Sequence, residues 1–268
     1  MNLAQYLQRI DYHHTPEVDY DTLCRIHRQH LLHIPYENFD VQLRRPLDFD
    51  PQRIFNKLVV NRRGGWCYEM NGLLGWALGQ IGFQVTRMSG AVMRAAEGDG
   101  QFGNHLVLEV MLDQPYLADT GLGDGITYPI PIREGTYQQQ FLNYRLERLD
   151  DGTWRMHNHE HSNVASFDFR HAPADESELS GKCHWLQTDS KSPFRKVLIA
   201  QKLTTHGYAQ QLGKRFTNLT ATGETVEDIH DPNAFNAHML NTFGIDQDIQ
   251  PIWEQLVATH EALFADDQ

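Results

Sequence analysis

The chain has 268 residues and a formal net charge of −12 at pH 7. That length supports two or three units with cores of their own, and that charge argues against nucleic acid or an anionic membrane as the main partner. The three cysteines, Cys24, Cys67 and Cys183, are odd in number, far apart and without a C-x-x-C pair, which argues against a disulfide framework and a cysteine-rich zinc site.

Residues Met1–Leu7 lack the basic region and apolar run of a signal peptide, and no stretch approaches a transmembrane span, so a reducing, cytoplasmic setting is expected. The first third reads as helical. Asp21 is placed to cap a helix whose apolar stripe is Leu23, Ile26, Leu31 and Ile34, stopped by Pro35. Cys24 packs beside that stripe. His27, His30 and His33 recur every three residues; with no carboxylate-rich motif alongside, they read as a half-exposed polar face rather than a metal site. Residues Tyr36–Asp40 read as a loop turning into the core. Pro51 starts a short helix through Ile54, Leu58 and Val59.

Next comes Arg62-Arg63-Gly64-Gly65-Trp66-Cys67-Tyr68-Glu69-Met70-Asn71. Met70, Leu73, Leu74, Ala77, Leu78 and Ile81 follow the period of one buried helical face, and Gly82 suits a left-handed stop. Cys67 therefore falls at or just before a first helical turn, where free N–H groups and the helix dipole favour a thiolate. Gly64 and Gly65 permit a tight turn and leave N–H groups to face a developing oxyanion. This is the pattern of an activated nucleophile; the alternative is a small buried apolar residue.

After Gly82 the pattern changes to short strands at 85–93, 105–112, 116–119 and 164–169, with a hairpin of 141–149 and 153–156 around Asp150-Asp151-Gly152. Further strands fall at 197–203, 215–220 and 224–229. Two helices close the chain, with Pro232 and Pro251 at their first positions. The order is α+β with a central antiparallel sheet or barrel. His105 opens one strand and Asp119 ends the next. A three-residue turn at 112–114 sets Asp119 opposite Val107, diagonal to His105 on the same face; a turn one residue longer sets it on the other face. A cysteine, a histidine and a carboxylate are the parts that nucleophilic catalysis needs. The segment from Lys182 to Arg215 holds Lys182, Lys191, Arg195, Lys196, Lys202, Lys214 and Arg215 against only Asp189, a local basin for phosphate. His157, His159 and His161 alternate, and no metal is assigned to them.

These residues resemble the arylamine N-acetyltransferases. The family pattern R-G-G-x-C-x-E-x-N is matched in full from Arg63 to Asn71, I-P-F-E-N-L is matched by Ile34-Pro35-Tyr36-Glu37-Asn38-Phe39, and D-V-G-F-G by Asp119-Thr120-Gly121-Leu122-Gly123. The resemblance implies a helical bundle (1–83), a β-barrel (84–190) and an α/β lid (191–268) around a cysteine-protease-like triad of Cys67, His105 and Asp119. It implies acetyl-coenzyme A as donor, with no metal, and a ping-pong transfer to arylamines, arylhydrazines or N-hydroxyarylamines, a reaction of xenobiotic metabolism. The donor is expected near Gln101, Phe102, Gly103 and Gly123, with Lys191, Lys202 and Lys214 of the basic segment for its phosphates. Tyr36 and Leu122 fall beside the acceptor, Leu122 where the family has an aromatic residue, and Glu37 with Arg63 becomes a buried ion pair under the cysteine loop. A monomer or homodimer with no nucleic-acid or membrane partner is expected. The competing readings are a cysteine amidase or transglutaminase-like enzyme, and a non-catalytic module of the same fold that binds coenzyme A.

Overall fold

The computed structural model of the chain describes residues 1–47 and 49–265. Helices α1 (Leu3–Arg9), α2 (Tyr20–His33), α3 (Phe39–Gln42) and α4 (Pro51–Phe55), with strand β1 (Tyr36–Glu37), lead to α5 (Cys67–Ile81). The middle of the chain holds β2 (Gln84–Val92), α6 (Arg94–Glu97), β3 (His105–Met111), β4 (Pro115–Ala118), β5 (Ile130–Pro131), β6 (Gly135–Gln139), β7 (Leu142–Arg148), β8 (Trp154–His157) and β9 (Ser166–Phe169). Then come α7 (Glu176–Thr188), α8 (Pro193–Lys196), β10 (Ile199–Leu203), β11 (Gly207–Leu212), β12 (Arg215–Thr220), β13 (Gly223–Asp228), α9 (Pro232–His238) and α10 (Trp253–Leu263). None of the described helices is long and apolar enough to cross a membrane.

Helix α5 is the centre of the molecule. It is buried on nearly every side, with Met70, Leu73, Leu74, Ala77 and Leu78 in one core with Tyr6, Leu23, Ile26, Ile54 and Leu58. The same core includes Leu108, Val110 and Ala118 of the sheet. Gly75 lets the helix approach closely: a Cβ there would lie 3.4 Å from the Leu108 methyls. Gly82 ends the helix at φ 115°, a conformation that favours glycine.

The larger sheet is a nearly closed, antiparallel, eight-stranded barrel in the order β5-β4-β3-β2-β9-β8-β7-β6. Alternating residues such as Met88, Val107, Leu117, Leu146, Met156 and Phe167 fill its interior. The smaller sheet has the order β1-β10-β11-β12-β13. Its edge strand comes from the N-terminal third, with Tyr36 opposite Gln201 and Glu37 opposite Ala200, and Tyr36 also bridges to Gly65. Residues 191–268 therefore do not make this sheet alone: β1 binds it to the cysteine loop.

The structure corrects several expectations. The cap of α2 is Asp19, which accepts from Thr22 N at 2.7 Å, rather than Asp21. His27 and His30 are fully buried, not half exposed. Helix α2 is sandwiched, so His30 meets the Tyr6 hydroxyl at 3.0 Å and His27 reaches into the barrel. Tyr36–Asp40 is a strand and a helical turn rather than a loop. Pro251 sits in a 3₁₀ turn ahead of α10 rather than at its first residue.

Candidate active site

Cys67 is the first residue of α5 and is 3% exposed. Its Sγ lies 3.8 Å from the Asn104 carbonyl and within hydrogen-bonding reach of the His105 ring. Gly121 forms the other wall. A Cβ there would fall 2.8 Å from Cys67 Cβ and 2.9 Å from its Cα, so only glycine lets the turn after β4 press against the cysteine.

His105 and Asp119 meet through strand register. Met111 pairs with Pro115 and Leu108 with Ala118, so the three-residue turn at 112–114 forms and sets Asp119 just past the end of the ladder, opposite Val107. His105 Nε2 then lies 2.8 Å from Asp119 Oδ2, with both side chains buried. Gly90 on β2 leaves room for the imidazole, since a Cβ there would be 3.2 Å from His105 Cβ and 3.3 Å from its Cδ2. Asp119 Oδ1 accepts from Asn71 Nδ2 at 2.7 Å and from Gly121 N at 2.8 Å. Asn71 Oδ1 in turn accepts from Thr120 N at 2.8 Å. His27 completes the support: Asp119 N donates to its Nε2 at 3.1 Å, and its Nδ1 donates to the Thr127 carbonyl at 2.9 Å, which fixes the tautomer.

Electrostatics follow from this arrangement. Burial opposes charge on His105, but the Asp119 carboxylate, its hydrogen bond and the neighbouring Cys67 outweigh it, so the imidazole pKa is pushed up to about 10. Burial opposes charge on Asp119 too, yet His105, Asn71 and the Gly121 N–H hold the carboxyl below its usual range. Burial drives His27 the other way, down to about 4. At neutral pH the site therefore holds an imidazolium at His105, a carboxylate at Asp119 and a neutral imidazole at His27.

Beneath the cysteine loop runs a buried ion network. Arg63 Nη2 lies 2.7 Å from Glu37 Oε1 and 3.1 Å from Asp40 Oδ1. Lys57 Nζ lies 2.8 Å from Asp40 Oδ2 and 2.8 Å from Glu69 Oε2. Glu69 Oε2 also accepts from Trp66 N at 3.3 Å, holding the first turn of α5. The sequence pattern points to Glu37 and Arg63 and contains Glu69 without assigning it a role; Lys57 and Asp40 give no such signal, because a lysine and an acid spaced along a chain look like a solvated surface.

Other expected site residues are placed differently. Gly65 N–H donates to the Pro35 carbonyl at 3.2 Å, so it does not face an oxyanion. Gly64 has its own reason to be glycine: a Cβ would lie 2.2 Å from the Pro35 carbonyl oxygen. Gln101 bonds Glu97 and Asn104. Phe102 is buried, with the Arg170 and Arg94 guanidiniums over its ring at 3.7 and 5.1 Å. The Gly103 carbonyl accepts from Tyr68 Oη at 2.6 Å, tying this loop to α5. Gly123 is packed closely, since a Cβ would lie 2.3 Å from Gln201 Cβ and 2.8 Å from Tyr36 Cβ. Lys191 is exposed, Lys202 lies near Arg9 and His33, and Lys214 is buried, its backbone N–H donating to His260 Nδ1 at 3.3 Å. Tyr36 packs with Trp66, Cys67 and Leu106, whereas Leu122 is buried among barrel residues. His159 donates from Nε2 to the Asp124 carbonyl at 2.8 Å. Among the described residues no group of three or more His, Cys, Asp or Glu side chains is arranged to hold a metal.

A helix-start cysteine, a strand histidine and a buried carboxylate in one hydrogen-bonded array define the class of cysteine-nucleophile folds. Comparison narrows the class. Residues 19–252 match the family model described as N-acetyltransferase. The arylamine N-acetyltransferase of Escherichia coli is 31% identical over 257 residues, covering 92% of this chain and 89% of that one. The enzyme of the same name from Mycolicibacterium smegmatis is 43% identical over 159 residues, 56% of this chain, and the match spans 58% of that protein's length. The structure of the Mycobacterium marinum arylamine N-acetyltransferase in complex with CoA superposes with a TM-score of 0.84 at 27% identity, covering 96% of this chain and 98% of that one. The chain belongs to the arylamine N-acetyltransferase family.

Proposed function

We propose that the chain transfers an acetyl group from acetyl-coenzyme A to the nitrogen of arylamines, arylhydrazines or N-hydroxyarylamines through an acetyl-cysteine at Cys67. The observation that carries this reading is the buried array in which Asp119 holds the His105 ring and the ring reaches Cys67. The relative that binds coenzyme A supports the donor.

In the first half-reaction the Cys67 thiolate attacks the thioester carbonyl. A carbon–sulfur bond forms, and the oxyanion is met by the Cys67 N–H, one of the first-turn N–H groups that have no partner within the helix. The carbon–sulfur bond to coenzyme A then breaks, and His105 supplies the proton to the departing thiolate. In the second half-reaction the amine attacks the acetyl-cysteine, His105 takes the amine proton, and Cys67 leaves as thiolate. Asp119 stabilises the imidazolium that is present before the first transfer and forms again in the second, and it holds the ring in orientation between them. The buried setting of Cys67 restrains hydrolysis of the intermediate. Rapid mixing with acetyl-coenzyme A alone tests this reading. One equivalent of coenzyme A should be released in a burst, with sustained release only after an arylamine is added; steady release without any burst, or none with any amine, contradicts it.

A further inference from the structure

Three residues beyond Gly121, Asp124 lines a polar cavity of about 130 Å³ between the barrel and the smaller sheet. Asp124 and His159 line it from the barrel side, Tyr208, Gln210 and Glu224 from the sheet, and His161 from the rim. Asp124 is 4% exposed and its Oδ2 has no hydrogen-bond partner. Burial raises the pKa of that carboxyl, while the adjacent His159, Ser162 and Asn163 N–H favour its charged form. None of the lining side chains is a lysine or arginine. A buried acidic oxygen without a donor is costly, and what it lacks is a hydrogen-bond donor, best a positively charged one.

The cavity is also held in place. Asp124 sits in a turn closed by Gly125 N donating to the Leu122 carbonyl at 3.0 Å. The Gly125 carbonyl accepts from both Tyr144 Oη at 2.9 Å and Tyr208 Oη at 2.8 Å. The turn starts at Gly121, which presses on Cys67, and Tyr36 lies within electrostatic reach of both Cys67 and Asp124. The volume is a little below the roughly 150 Å³ that takes a benzene ring, enough for an aminoalkyl tail but not for a second ring.

We propose that this cavity is a subsite for a cationic nitrogen carried at the far end of the acceptor, with Asp124 as its counter-ion, so that the chain favours aromatic amines bearing an alkylammonium tail. The proposal rests on the acyl-transfer reading above. The aryl nitrogen would face the acetyl-cysteine, and the tail would reach past Leu122 to Asp124.

The test compares 4-(aminomethyl)aniline and 4-(2-aminoethyl)aniline with 4-ethylaniline and 4-propylaniline, which match them in length without the charge. In the wild type, kcat/KM for the longer or the shorter diamine should exceed that of its alkyl partner by about tenfold or more, as a charge-assisted hydrogen bond supplies. Asp124→Asn should bring that ratio close to one, and Glu224→Gln, on the exposed rim, should lower it partly. The coenzyme A burst with donor alone is measured for each variant and reports an intact fold. A wild type that prefers the alkyl compounds, or a ratio that neither variant moves, overturns the proposal. If no amine is acetylated at all, the acyl-transfer reading falls and the subsite falls with it; a normal burst and turnover with an unmoved ratio removes the subsite alone.

Discussion

Cys67 and Cys24 offer an internal comparison. Cys24 is half-buried and the more exposed of the two, and burial with its surroundings raises its thiol pKa. Cys67 is nearly inaccessible but stands at a helix start beside an imidazolium. Exposure alone would have a small alkylating agent reach Cys24 first. Our account expects iodoacetamide at pH 7 to label Cys67 first, followed by protection when acetyl-coenzyme A is present; peptide mapping that finds Cys24 labelled first would contradict it. Asp119→Asn should keep the side-chain volume while disturbing the ring orientation of His105, and should slow both half-reactions by about 10³–10⁴, the scale seen when a triad carboxylate is changed. Single-turnover acetylation and deacetylation rates check this, and a loss confined to one half would argue against a shared His105. Cys67, His105 and Asp119 could be read in the sequence because each stands at the edge of an element. Asn71 and His27 could not be assigned roles from sequence alone. Each lies on a helix among apolar neighbours, and only the packing of α5 and α2 against the barrel brings them to Asp119.

At the scale of elements, the first turn of α5 is anchored by charge. Lys57 lies on the turn after α4 and neutralises Glu69 and Asp40 in the interior. Burial opposes its charge, but the three surrounding carboxylates raise its pKa. Lys57→Met leaves Glu69 uncompensated and should cost about 3–5 kcal/mol of stability, the range for breaking a buried pair by removing one partner. The double variant Lys57→Met/Glu69→Gln should recover part of that loss in denaturant unfolding; equal losses in single and double variants would show that charge is not what matters. The strong elements were legible in sequence. The period of α5, the alternation of β3 and the turn at 112–114 come straight from residue types. Helix α7 was not, because only Leu179, Cys183 and Leu186 of its thirteen residues are buried, too sparse a stripe to show a period. Strand β11 carries no clear signal either: its buried residues include Gln211, whose Nε2 donates to the Gly213 carbonyl at 3.0 Å. Propensity cannot register burial of that kind.

For the whole molecule, the two central histidines pull stability in opposite directions with pH. His27 is neutral in the fold, with its pKa pushed down to about 4 from 6.5. The unfolded chain takes up the proton first, so this contribution is full above about pH 6.5 and is lost as pH falls towards 4. His105 is charged in the fold, with its pKa pushed up to about 10. Its contribution is full below about pH 6.5 and is lost as pH rises through 10. Thermal unfolding midpoints should therefore fall on both sides of neutrality. His27→Gln should shrink the difference between pH 7 and pH 5 while leaving the alkaline fall in place; an unchanged acid slope would remove His27 as its cause.

The architecture serves one chemical arrangement. The bundle supplies the cysteine, the barrel supplies the histidine and carboxylate, and β1 ties the cysteine loop to the smaller sheet. Ping-pong transfer makes a demand that direct transfer does not: the enzyme must hold the acetyl group while no amine is present. The mass of the intact protein after incubation with acetyl-coenzyme A alone is the most direct measurement. The wild type should gain one acetyl group, mapped to Cys67, and lose it when an arylamine is added, while Cys67→Ser should gain none. Turnover without a trapped acetyl-enzyme, together with activity retained in Cys67→Ser, would mean direct transfer and would contradict the account.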